Sequence, residues 1–150
     1  MASPDWTRPD LYDIDFAAWC DREAALARAG KATQLDLAHI AEELESLGNA
    51  DRREIRHCLI RLLTGLLKFR FQPEERTGHW LVAIAEERRR ILFVIEDSPS
   101  LAAYPAGILR DCYVEARAAA AGETSLPLEA FPDECPFTAE QVVDRGFLPE

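Results

Sequence analysis

The feature that most constrains this chain is the stretch from Asp51 to Phe71, where Ile55, Leu59, Leu62, Leu63, Leu66, Leu67 and Phe69 recur at helical spacing. At about 100° per residue these seven side chains cover more than half of a helix surface. A helix that is apolar on so many sides has to be surrounded by others, so the sequence predicts a central helix with several partners packed around it. Pro73 ends it, because the residue before a proline is pushed out of the α region.

The partners are well signposted. Asp13 or Asp15 caps a first helix through Ala29, with Phe16, Trp19 and Leu26 on its apolar side and Gly30 as the stop. Asp36 caps a second helix carrying Leu37, Ile40, Leu44 and Leu47, and Gly48 is read as its end. A fourth helix runs from about His79 to Glu96. Ser98 and Pro99 open a fifth that reaches Ala121 and stops at Gly122, with Pro105 kinking or restarting it. Beyond Gly122 the prolines at 127, 132 and 136 forbid a strand or a long helix, so this part wraps the bundle on Leu126, Leu128, Phe131 and Phe137. A short terminal helix follows, with Thr138 and Gln141 at capping-box spacing. The expected fold class is all-α: an irregular bundle of about five helices forming one helical domain over 1–150, with a core at about 13–121 and a proline-rich C-terminal wrap at about 122–150.

Within the fourth helix one residue breaks the pattern. Trp80, Ala83, Ile84, Ile91 and Val94 share a face, and Glu87 falls in its middle. A carboxylate placed among apolar side chains needs a basic or hydrogen-bonding partner, because desolvating it unpaired costs several kcal/mol. Arg88 borders the same face and reads as a snorkelling cation.

Charge limits the function classes. The formal net charge is −10, which opposes attraction to nucleic acid and to anionic membranes. Residues 52–90 nevertheless hold ten of the 17 basic and five of the 27 acidic side chains, a local +5 against −15 for the rest. Arg53, His57, Arg61 and Lys68 form a basic stripe on the third helix, without the aromatic interleaving of a nucleic-acid surface. No apolar run approaches the ~20 residues of a membrane span, and the acidic N-terminus lacks a secretory pattern, so a cytoplasmic address is expected. Cys20, Cys58, Cys112 and Cys135 show no zinc-ligand spacing, and reduced thiols are expected. Asp36, His39, Glu42 and Glu43 on the second helix lack the repeated Glu-x-x-His of a carboxylate-bridged metal bundle and read as ion-pairing groups. No catalytic triad, phosphate loop or His-Glu-x-x-His occurs, so no catalytic residue, metal or cofactor is assigned.

The order of LYDIDFAAW, LDLAHIAEELESLG, LLKFRFQPEERTGHW, IAEERRRI, EDSPSL and FPDECPFTAEQVVDRGFLPE resembles the domain of unknown function 29 family over nearly the whole chain. The resemblance implies a small, all-helical bacterial protein without an assigned activity. It draws attention to Glu42 and Glu43, to Gln72, Pro73, Glu74 and Arg76, to Trp80, to Glu86, Glu87 and Arg88, and to Cys135 and Pro136. It also marks Gly65 where the family commonly has histidine, His79 where it commonly has serine, and Glu87 where it commonly has glutamine. Glu43, Arg76, Glu87 and Arg88 are accordingly expected to form one polar cluster beside Trp80. The leading functional expectation is a protein-interaction or regulatory module, with a protein partner or a second copy of itself. A nucleic-acid-associated protein using the basic third helix is the alternative, and an enzyme built on the Glu/Arg cluster is the third reading.

Overall fold

Helical spacing in the sequence becomes helix throughout the computed structural model, which describes residues 10–150 and has no strand among them. The helices are α1 (Leu11–Ile14), α2 (Phe16–Arg28), α3 (Leu37–Phe71), α4 (Gly78–Asp97), α5 (Tyr104–Thr124) and α6 (Ala139–Val143). The fold is therefore all-α, with four long helices and two short ones among the described residues. Short 3-10 turns at Pro73–Glu75, Pro99–Leu101 and Leu128–Ala130 join or follow the long helices. No helix among the described residues is long and apolar enough to cross a membrane.

Three boundaries differ from those read in the sequence. The second and third expected helices are one, the 35-residue α3, which runs through Gly48. Glycine inside a helix costs only about 1 kcal/mol relative to alanine, and no proline follows to enforce a stop. The segment from Pro99 is a 3-10 turn, and the true helix restarts with Pro105 in its first turn, where a missing N–H leaves no bond unmade. At its far end α5 passes through Gly122 to Thr124, and Ser125 takes the left-handed conformation with φ 59°. Thr124 Oγ1 donates to Ala120 O at 2.7 Å and so satisfies a last-turn carbonyl.

The chain divides into two compact units, Met1–Gly48 and Asn49–Glu150. In the first, Asp15 caps α2 by accepting from the Ala18 amide at 3.0 Å, and Gly30 leaves the helix with φ +70°. Its buried anchors are Trp19 and, unusually for a carboxylate, Glu23.

The second unit holds the main core. Ile55, Leu59, Leu62, Leu63, Leu66 and Leu67 of α3 are fully buried against Ile84 and Ile91 of α4 and Tyr113, Ala116 and Ala120 of α5. Phe131, Phe137 and Val142 close this core, so the proline-rich C-terminal segment packs on the bundle. A segment with neither ladder nor long helix must satisfy its carbonyls elsewhere. Side-chain donors from α4 and α5 do this: Tyr113 donates to Pro132 O, Arg117 to Phe131 O at 2.9 Å and Arg88 to Val142 O at 2.8 Å. The terminal helix α6 carries the full capping box between Thr138 and Gln141.

Candidate functional sites on helix α3

In the first unit, the start of α3 meets α1 and α2 through a polar and aromatic seam. Trp19 Nε1 donates to Asp36 Oδ2 at 3.1 Å, and His39 Nδ1 lies 2.6 Å from the same oxygen. The Asp36 amide donates to Glu23 Oε2 at 2.8 Å, which accounts for the burial of Glu23. The His39 ring stacks on Tyr12 with centroids 3.9 Å apart, and Tyr12 Oη donates to Glu43 Oε1 at 2.5 Å. That bond to Glu43 pushes the Tyr12 hydroxyl up to about 12, keeping it a donor at neutral pH. Hydrogen bonding to Asp36 raises the His39 pKa above its ordinary value. Burial works to raise Asp36, but the bonds from His39 and Trp19 outweigh it and hold the carboxyl below the usual range.

Asp10, Asp36 and His39 also bring one potential ligand atom each within 4.8 Å of one another. Two carboxylates and an imidazole are donor types that divalent cations accept. In the structure the same atoms form an ion-paired group, with Asp10 Oδ2 at 3.9 Å from His39 Nδ1.

Next to this seam, α3 shows an apolar stripe that is largely exposed. Leu37, Leu44 and Leu47 are 64%, 64% and 68% exposed, and with the half-buried Ile40 they repeat at i, i+3, i+7 and i+10. This is the a and d spacing of a helix-pairing seam. Ala41 and Gly48, small and exposed, flank it.

In the second unit, α3, α4 and α5 enclose a groove of about 280 Å³ with a floor of Ile60, Gly65 and Ile84. α3 and α4 approach closely here, since a Cβ on Gly65 would lie 3.2 Å from Ile84 Cγ1. Two ion pairs line the opening. Arg61 grips Glu87 with both prongs, Nε to Oε1 at 2.8 Å and Nη2 to Oε2 at 3.0 Å. Lys68 Nζ donates to Glu123 at 3.0 Å and sits 4.8 Å above the centre of the Trp80 ring. Among the described residues every buried side-chain nitrogen and oxygen has a hydrogen-bond partner.

The four charged residues expected to converge take separate partners. Glu87 has the basic partner its position demands, Arg61, and is mostly rather than fully buried, its side chain 15% exposed. Arg88 does not snorkel: it is 2% exposed, with Nε on Val142 O. Burial lowers its pKa, with Asp144 acting in the opposite direction. Arg76 turns back to the end of α3, donating to Phe69 O at 2.6 Å with its guanidinium over the Phe69 ring. Glu43 belongs to the first unit and accepts from Tyr12. Of that set, Glu87 and Trp80 share the groove. In the basic stripe, Arg61 and Lys68 hold carboxylates, whereas Arg53 and His57 face solvent.

Several participants were not visible in the sequence. Glu123 and Ala119 reach the groove from α5, and no local pattern connects them to Lys68 or Trp80. Gly65 was marked as a departure, and its role in the close approach to Ile84 appears only once α4 is placed. Cys58 and Cys112 are buried as expected for small apolar groups, and burial pushes their thiols up to about 12 and about 11.

These features define an all-helical protein whose conspicuous surfaces are one exposed apolar helix stripe and one charge-rimmed groove. The chain belongs to the family described as domain of unknown function DUF29, whose model matches residues 11–148. No curated protein and no solved structure matches it.

Proposed function

We propose that this chain is a cytoplasmic protein-interaction module that pairs helix to helix through the first half of α3, with a second copy of itself as the partner. The observation that carries this reading is the stripe of Leu37, Leu44 and Leu47, each about two-thirds exposed on a helix whose residues 44–50 are exposed on every side. A/d spacing suits a partner helix with the same repeat, and a two-fold pair presents the same stripe from both sides. Covering three such leucines on each of two copies contributes about 6–12 kcal/mol gross. Association itself costs about 4–15 kcal/mol, so the net gain is at most about 8 kcal/mol, and micromolar is the tightest affinity this stripe supports.

Sedimentation velocity from about 1 to 200 µM, a range that starts at that limit and extends to weaker pairing, tests this. A concentration-dependent dimer that Leu44→Glu abolishes, with circular dichroism unchanged, supports the proposal. A monomer across the range, or a dimer indifferent to Leu44→Glu and Leu47→Glu, overturns it. Because apolar pairing survives salt whereas phosphate contacts weaken steeply, a dimer retained at high salt separates this reading from a nucleic-acid role for the basic stripe.

A further inference from the structure

The groove over Gly65 and Ile84 has an apolar floor and a displaceable counter-ion, and the pairing stripe uses neither. Its volume of about 280 Å³ lies at the small end of ligand pockets, which commonly hold about 300–1,000 Å³, so its occupant is smaller than a drug-sized molecule. The floor is apolar and the Trp80 ring forms one wall. At its opening the two ion pairs are unequal. Glu87 is bound bidentately and its side chain is only 15% exposed, whereas Glu123 offers one oxygen to Lys68 and is 54% exposed. An exposed single-contact pair adds little net stability, so Glu123 yields to a competing anion at little cost. Lys68 itself stays, because the Trp80 face beneath it attracts a cation.

We propose that this groove binds a small amphipathic carboxylate: an aromatic or branched apolar body lies on Gly65 and Ile84 against Trp80, and the carboxylate replaces Glu123 on Lys68 Nζ. A cationic ligand is disfavoured by the same geometry, since it has to evict Lys68 from both Trp80 and Glu123. A neutral ligand gains the apolar contacts and leaves the ion pair in place.

Three isosteric probes distinguish these cases: phenylacetate, 2-phenylethanol and phenethylamine, titrated into the full chain with detection by 1H–15N NMR. Phenylacetate is expected to give saturable shifts of the Trp80 indole N–H and the Gly65 and Lys68 amides, with about tenfold preference over the alcohol and the amine weakest. Lys68→Gln should bring acid and alcohol within about twofold, the loss of one charge-assisted bond. Ala83→Phe, made at an exposed residue of the rim, should block all three probes while leaving the fold intact. No saturable shift at Trp80 and Gly65 overturns the proposal. So does an amine that binds as tightly as the acid, or a preference for the acid that survives Lys68→Gln.

Discussion

Arg88→Met is the most informative single substitution in the second unit. Arg88 is 2% exposed, and among the described residues its guanidinium makes no carboxylate pair; it is spent on main-chain carbonyls, Val142 O at 2.8 Å and Gln141 O at 3.5 Å. These carbonyls belong to the last residues of α6, which like any helix end leaves its final C=O groups without intrahelical donors. Methionine keeps most of the volume and removes the donor. The lost charge-assisted bond is worth about 1.5–3 kcal/mol, and leaving a buried carbonyl unpaired adds about 1–3. Relief from burying a guanidinium offsets part of this, since well-packed apolar replacements recover desolvation energy. A net loss of about 2–3 kcal/mol is expected, with Arg88→Ala worse because a cavity is added. Urea denaturation gives the global loss, and amide exchange at 139–147 shows whether α6 loosens first. A change of less than about 0.5 kcal/mol, the size of an ordinary surface substitution, refutes the reasoning, because Arg88 would then be doing nothing that its contacts describe.

The seam around His39 makes the first unit sensitive to pH. The His39 pKa is raised in the fold, so its contribution is fully present below the ordinary histidine value of about 6.5 and is lost as pH rises through the raised value. The Asp36 pKa is lowered, so its contribution is present above the ordinary aspartate value of about 3.9 and is lost as pH falls through the lowered one. NMR titration of His39 checks this, and a midpoint at or below about 6.5 contradicts it. For Glu87→Gln, half of whose ion pair is well exposed, a loss of about 0.5–1.5 kcal/mol is expected instead of the ~3–5 of a fully buried pair, read by urea denaturation. Gly48→Ala should stabilise the chain by about 0.5–1 kcal/mol and slow amide exchange around residues 46–52, because Gly48 is an exposed interior position of a continuous helix. Destabilisation on that change would mean that the chain turns at Gly48.

What the sequence made legible and what it hid divide along one physical line. Local signals survived: Asp15, the Thr138–Gln141 capping box and the seven apolar residues of the central helix act within a turn or two of themselves, and the structure uses each as its chemistry dictates. Stops that depend on competition did not survive. Gly48 and Gly122 are permissive residues, and a helix crosses them when extending its ladder gains more than the roughly 1 kcal/mol that glycine forfeits. Demands were legible where their answers were not. The position of Glu87 required a cation, and the required cation exists, but it comes from Arg61, 26 residues away on α3, instead of Arg88 beside it. Helix geometry explains the exchange: Arg88 lies about 100° around α4 from Glu87 and faces α6. A neighbour in sequence on a helix is thus a poor candidate partner for a core-facing charge. The same reasoning bears on the groove, where Lys68 and Trp80 come from two helices and Glu123 from a third, so that a site with no motif is assembled by packing alone.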